Sequence, residues 1–204
     1  MDNIAVILLA AGQSKRMGTA KSLLPWKGMP LIDYQISVLT QLKLEPVVVV
    51  LGHNALKVKS NISRRLNPII VYNPKYKSGK TSSIAEGLKC LKPFNSSSLM
   101  VINVDQPRTE ETLTKLINDH KCKKALISAP TYQGKSGHPL ILSMMLIDEL
   151  DAISEETYGI RAIVNKHLQS VNWVRVESEE ILLDINSNSD YLLPYEKFGK
   201  NPAV

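Results

Sequence analysis

Short apolar runs rich in isoleucine and valine recur along the chain at Ile4 to Leu9, Pro46 to Leu51, Pro68 to Val71, Ser98 to Val104 and Lys124 to Ser128. Apolar runs without polar alternation predict strands buried on both faces. Longer segments between them space their apolar residues as a helix does. Leu31 to Leu42 places Leu31, Tyr34, Gln35, Val38, Leu39 and Leu42 largely on one side, and Thr81 to Leu91 does the same with Ile84, Leu88 and Leu91. Thr109 to His120 carries Leu113, Leu116 and Ile117 behind Thr109, a residue type suited to capping, and Ala55 to Leu66 is a more polar helix candidate. Strand and helix alternate, which predicts an α/β fold: a Rossmann-like three-layer sandwich whose mostly parallel sheet has helices on both faces. Sheets of this kind bind ligands at the carboxyl ends of their strands.

After about residue 130 the rhythm loosens. Gly134 to His138 reads as a polar loop and Pro139 to Leu142 as a short strand. Ser143 to Ile153 and Gly159 to Leu168 read as helices. Val171 to Val176 and Glu180 to Asp184 read as strands that make the sheet mixed at its edge, and Ser187 or Asn188 caps a last helix reaching about Phe198. No linker or internal repeat interrupts residues 1–204, so one domain is expected.

Composition narrows the function classes. A length of 204 residues suffices for one substantial core. Aromatics make up only 5%, so that core must be aliphatic. The formal charge of +6 suits a polyanionic partner, but the lysines are scattered and no run reads as a nucleic-acid tail. Cys90 and Cys122 have neither disulfide nor metal-site spacing and read as reduced, partly buried thiols. The apolar start is too short to span a bilayer and lacks a basic segment before it, so no membrane association and a cytoplasmic location are expected.

The candidate chemistry lies just after the strands. Leu9-Ala10-Ala11-Gly12-Gln13-Ser14-Lys15-Arg16-Met17-Gly18-Thr19-Ala20-Lys21 follows the first one. Small residues there let the backbone approach a ligand, successive amides can surround a phosphate oxygen, and Arg16 and Lys21 add charge. The segment is neither a P-loop nor a dinucleotide fingerprint, and from its chemistry alone it is an anion loop or a plain tight turn. Asp105, in Asp105-Gln106-Pro107, is either an oxygen ligand for a hard cation or a turn acid before Pro107. Asp184 and Asn186 alternate at a strand end, either as paired oxygen ligands or as the start of the turn-forming Asn-Ser-Asn-Ser-Asp stretch. A helix beginning near Thr81 would offer free amides to an anion beside Gly79, Ser82 and Ser83, or would be a capped surface helix. His138 is a lone histidine, for which a structural role is the ordinary reading. His53, His120 and His167 form no ligand cluster.

The first loop resembles the LAAGxSxRMGxxK signature of the small nucleotidyltransferases of the molybdenum-cofactor type. Asp105-Gln106-Pro107 resembles their DxP motif, and Gly137-His138-Pro139 their GHP motif. The stretches from Asn73 to Leu88, Gly159 to Arg161 and Asp184 onward resemble further elements of the family. The resemblance implies a fold of the nucleotide-diphospho-sugar transferase type, with residues 1–130 as the nucleotide-binding half and 131–204 as the acceptor-side half. It puts Leu9, Ala10, Ala11 and Gly12 against base or sugar, Ser14, Arg16 and Lys21 on the phosphates, and Gly79, Ser82 and Ser83 along the nucleotide cleft. It makes Arg16, Lys21 and Asp105 catalytic, gives a magnesium ion to Asp105, Asp184 and Asn186, and puts His138 and Arg161 beside the acceptor. It implies CTP or another triphosphate as donor, a molybdopterin-type or other small phosphate as acceptor, and transient contact with proteins that mature molybdoenzymes. Ala11 stands where the guanylyltransferase branch usually has a second glycine, which tilts the reading toward cytidine. Asn186 stands where the cytidylyltransferase branch usually has Asp, Ser189 departs from the Thr-Pro-Glu-like continuation, and Leu142 replaces an aromatic. Guanylyl transfer and transfer to sugar phosphates are the alternatives within the class. A non-catalytic nucleotide- or RNA-binding protein is the alternative outside it.

Overall fold

The computed structural model describes residues 3–14 and 16–201; Lys15 of the first loop lies outside them. In chain order the elements are β1 (Ile4–Ala10), β2 (Pro25–Trp26), β3 (Met29–Pro30), α1 (Leu31–Gln41), β4 (Val47–Leu51), α2 (Ala55–Asn61), β5 (Ile69–Tyr72), α3 (Lys80–Leu91), β6 (Ser98–Asn103) and α4 (Glu110–Lys123). They continue with β7 (Ile127–Tyr132), β8 (Lys135–Ser136), β9 (Leu140–Ser143), α5 (Ile147–Asp151), α6 (Ile160–Lys166), β10 (Val171–Arg175) and α7 (Asn188–Pro194).

The main sheet runs β10-β7-β9-β6-β1-β4-β5, with β8 paired to β7. β1 lies between β4 and β6, parallel to both. It is the most enclosed strand, and every one of its residues is buried. Its alternation decides what covers each face. Ile4, Val6, Leu8 and Ala10 pack with residues of α1, α2 and α4, while Ala5, Ile7 and Leu9 pack with residues of α3, α5 and α6. The result is the expected three-layer sandwich with a mostly parallel sheet. The mixture is not confined to the edge, however: β9, inside the sheet, runs antiparallel to both β6 and β7, the short β8 is antiparallel to β7, and β10, at the edge, is parallel to β7.

Several boundaries differ from the sequence expectation, each for a local reason. Glu180 to Asp184 is no strand, because residues Glu179–Leu182 form a 3-10 turn. Glu180 is buried there, and its carboxylate accepts from Thr109 N at 3.0 Å and Thr109 Oγ1 at 2.7 Å. Satisfying a buried carboxylate at the α4 N-terminus outweighs extended pairing. The strand expected at Lys124 to Ser128 starts only at Ile127, because α4 continues to Lys123 and ends on left-handed Lys124. The helix expected from Ser143 shrinks to Ile147–Asp151, since Ser143 completes β9 and then caps a 3-10 turn. The helix expected over Ala55 to Leu66 ends at Asn61. Thr109 caps α4, and Ser187 caps α7, which passes into a wider π turn at Tyr195–Gly199. Trp26, Leu31, Met17 and Ile185 form a separate small cluster with Tyr191 and Tyr195, holding the C-terminal segment beside the first loop.

Candidate active site

The loop after β1 folds back on itself. Ser14, held at φ 50°, accepts from Met17 N through its carbonyl at 3.0 Å and from Lys21 N through its hydroxyl at 3.1 Å. This double closure turns the Lys21 side chain back toward the carboxyl end of β6. There its ammonium donates to Asp105 Oδ2 at 2.9 Å and Asn186 Oδ1 at 2.7 Å. Both members of the ion pair are largely shielded, with side-chain exposures of 12% for Lys21 and 21% for Asp105.

A cavity of about 380 Å³ opens over this contact. Leu9, Ala10, Ala11, Gly12 and Ser14 form one wall, and Asp105, Asp184 and Asn186 form another. Gly79 and Ser83 close a third side. A Cβ added at Gly12 would meet nothing within 4 Å among the described residues, and Gly12 has no positive φ. Neither packing nor backbone conformation therefore requires a glycine there, whereas an approaching ligand would.

Two expected residues stand apart. Arg16 is exposed and is not among the residues lining the cavity. Ser82 is also absent from the lining: its hydroxyl lies 2.8 Å from Gly79 O and 3.0 Å from Lys75 O, serving the turn before α3. The helix start is not free for an anion in this conformation either. Thr81 N donates to Glu155 Oε1 at 2.7 Å, and a Cβ on Gly79, whose φ is 106°, would collide with the Glu155 carboxylate. An internal acid has taken the position that the positive end of the helix offers. The expectation of buried thiols needs correcting at Cys122, which is exposed; Cys90 is half-buried.

Three buried polar residues to which sequence reasoning gave no part in the site hold it together. Asn73 is fully buried; its Nδ2 donates to the hydroxyls of Ser82 and Ser83, and its Oδ1 accepts from Lys75 N. Gln35 reaches from α1 to donate to the carbonyls of Asn103 and Val104, fixing the backbone just before Asp105. Arg108, only 2% exposed, donates to the carbonyls of Pro107, His138, Ile181 and Leu183. Burial lowers its pKa to about 10, against the opposing pull of Glu180, Asp184 and Asp105, and it remains a cation at neutral pH. Arg108 thus joins the Asp105 loop, the His138 loop and the chain leading to Asp184. The sequence signal was an arginine directly after Asp105-Gln106-Pro107, where a surface residue before a helix cap is the ordinary reading.

A second chamber of about 760 Å³ adjoins the first, and Lys80 and Asn103 line both. His138 and Arg161 line it, together with Tyr158, Trp173, Ile160 and Leu140. Enclosure by the chamber walls, with the Arg108 and Lys80 cations nearby, lowers the His138 pKa to about 4. His138 is exposed as a residue, and the two cations push its pKa down alongside the partial desolvation of its ring. His138 is therefore neutral at physiological pH.

Among the described residues, no three His, Cys, Asp or Glu side chains gather as a metal cluster. The oxygen-bearing side chains lining the first cavity include two carboxylates, Asp105 and Asp184, and the amide of Asn186. No helix among the described residues is long and apolar enough to cross a membrane.

Residues 6–171 match the model of the MobA-like NTP transferase domain. The chain is 24% identical over 198 residues to the molybdenum cofactor cytidylyltransferase of Escherichia coli K12, covering 97% of this chain and 98% of that protein. It is 30% identical over 202 residues to the bifunctional protein GlmU of Prochlorococcus marinus NATL2A, covering 91% of this chain but only 43% of GlmU. A solved nucleotidyl transferase from Methanothermobacter thermautotroptrophicus superposes with a TM-score of 0.79 at 21% identity, covering 97% of this chain and 98% of that one, which establishes the shared fold.

Proposed function

The chain belongs to the MobA-like NTP transferase family and is a nucleotidyltransferase, and from that premise we propose that it transfers a cytidylyl group from CTP to the terminal phosphate of a molybdopterin-type acceptor. The observation that carries this reading is the pair of adjoining chambers. The first has the small-residue loop after β1, a lysine and a set of hard oxygen donors. The second, with which it shares Lys80 and Asn103, combines aromatic walls with cations.

Triphosphate binds in the first chamber. The open face of Gly12 admits the base or sugar close to the loop backbone, and Lys21, with Ser14, lies on the phosphate side and supplies positive charge. Asp105, Asp184 and Asn186 would hold a magnesium ion. The donor set fits, because magnesium favours oxygen and usually takes one or two carboxylates, completing its shell with phosphates and water. That Lys21 already places a cation between Asp105 and Asn186 supports the fit. When bound, the ion supplies neutralisation of the charge on the transferring phosphate.

The acceptor lies in the second chamber. Tyr158 and Trp173 offer flat apolar faces to a heterocyclic ring, while Lys80 and Arg161 offer charge to its phosphate. An acceptor phosphate oxygen attacks the α-phosphorus of the triphosphate. A new phosphorus–oxygen bond forms as the bond from the α-phosphorus to the bridging oxygen breaks, and pyrophosphate leaves on the Lys21 side. The acceptor is already ionised, so no residue has to remove a proton. Alignment across the wall shared by Lys80 and Asn103 supplies the catalysis, together with charge complementarity.

Ala11, a methyl-bearing residue 6% exposed at the first chamber, narrows the base side and supports cytidine. The full-length similarity to a cytidylyltransferase supports the same choice. The test is pyrophosphate release from each of the four triphosphates with magnesium, against molybdopterin and against a sugar phosphate. Fastest release from CTP with molybdopterin is expected. GTP preference would overturn the choice of base, and release only with the sugar phosphate would overturn the acceptor.

A further inference from the structure

Lys21 presents an unusual economy. Its ammonium makes its two short contacts with the oxygens of Asp105 and Asn186, the same atoms that the reading above assigns to the divalent cation. The ion pair is shielded, and it is anchored through the Lys21 backbone, which is tied to Ser14. An ammonium and a divalent ion cannot share those oxygens at contact distance, because like charges so close repel strongly where solvent is thin.

We propose that Lys21 is a resident stand-in for the divalent cation: it occupies Asp105 and Asn186 in the ligand-free protein, and it must move onto the triphosphate before the metal can take those oxygens. The inference rests on the proposed triphosphate and metal site and deepens it. Lys21 then does two jobs with one charge. In the ligand-free protein it neutralises Asp105, so the carboxylate does not face a low-dielectric cavity unpaired. On donor binding it transfers to phosphate oxygens and exposes the metal oxygens at the same moment. A metal ion arriving alone must displace Lys21 without compensation and binds weakly. A metal ion arriving with triphosphate finds the lysine already drawn away. The coupling is reciprocal: whatever weakens the hold of Lys21 on Asp105 strengthens binding of the bare metal.

Asn186 sharpens the arrangement. Two carboxylates around one ammonium would hold it harder, whereas one carboxylate and one amide satisfy it and still release it. The amide is a neutral, weaker metal ligand for the same reason, so this site depends on the donor phosphates to complete metal binding.

The experiment measures Mn²⁺ binding to the full chain by electron paramagnetic resonance, with no nucleotide present. Wild type, Lys21→Met, Asp105→Asn and the double variant are compared. Lys21→Met keeps the apolar stem and removes the charge, and is expected to bind bare Mn²⁺ about ten-fold more tightly than wild type. Asp105→Asn should lose binding in either background. Unchanged or weaker Mn²⁺ binding by Lys21→Met, with Asp105→Asn still abolishing it, overturns the stand-in role and leaves the metal site intact. Mn²⁺ binding that ignores Asp105→Asn overturns the metal assignment itself. Should Lys21→Met misfold, lysine-selective NMR of the wild type gives the same answer. A protected Lys21 ammonium signal that is lost on Mg²⁺ titration supports displacement; a signal that persists at saturation overturns it.

Discussion

The two chambers are built differently. The first is made where the carboxyl ends of parallel strands β1 and β6 meet, so its residues inherit their positions from the most buried part of the sheet. The second is walled by β7 to β9, α6 and the turn before it, together with residues of α3 and β6, and it reaches the edge strand β10 at Trp173. Placement from a sheet core is rigid and leaves little to adjust. Placement from a flank lets the walls change while the chemistry stays fixed. The donor side is therefore expected to respond to substitution as a catalytic unit, and the acceptor side as a selector.

The largest test of that difference is Asp105→Ala. It should reduce kcat for pyrophosphate release by on the order of a thousandfold if Asp105 faces the transferring phosphate as proposed. Arg161→Ala, on the acceptor side, should instead raise the KM for acceptor and leave the KM for triphosphate within about two-fold, as expected when only one substrate loses a binding contact. If both variants changed kcat alone, the division between chambers would not stand.

Arg108→Met probes the tie between the two sides. Removing the guanidinium leaves buried carbonyls without a donor and takes away the cation near Glu180. This should cost about 3 kcal/mol in urea unfolding and should lower turnover with every donor and acceptor alike. Full stability would show that the three loops hold together without it.

A smaller effect concerns acid. His120 is buried between the hydroxyls of Ser98 and Ser128, and burial, then Lys121, lowers its pKa; His138 is lowered in the same direction. Each unfolded imidazole takes up a proton near its ordinary pKa of about 6.5. Both therefore contribute stability above that pH, and the contribution is lost as pH falls toward the folded values. The urea midpoint should drop between pH 7 and pH 5, and His120→Gln should drop less. A flat profile in the wild type would mean that the imidazoles ionise in place.

The smallest effect is expected at Glu155, which caps Thr81 at the rim of the second chamber. Glu155→Gln weakens a charge–dipole contact at a helix start, costing about 0.5 kcal/mol. It should lower the acceptor KM a few-fold by removing a negative charge from the path of a phosphate. An acceptor KM that rises would assign Glu155 a binding role instead.

The difference between the chambers also explains what was legible in the sequence. Strand β1, the loop after it and Asp105 could be read because burial on both faces leaves an uninterrupted apolar run, and the residue after such a run lies at the ligand-binding edge. The segment from Glu180 to Asp184 misled because Ile-Leu-Leu looks like a strand, while its conformation answers to the remote α4 N-terminus through one carboxylate. Arg108 was missed for a related reason. Local pattern gives its position but not its four carbonyl partners, three of which come from segments distant in the chain. Arg16 was read from its neighbours in a motif, yet this conformation leaves it outside the cavity wall. Long-range polar contacts carry no periodicity, so they stay invisible until the chain is folded.

Arg108 also bears on how such a cleft can diverge. Its bonds to the carbonyls of Pro107, His138, Ile181 and Leu183 do not depend on which side chains those positions bear. A lineage can therefore exchange side chains around the second chamber, or lengthen the hairpin tip at Gln133 and Gly134, without detaching the wall from the donor side. Acceptor preference can drift by single substitutions while the phosphate-transferring centre is inherited whole.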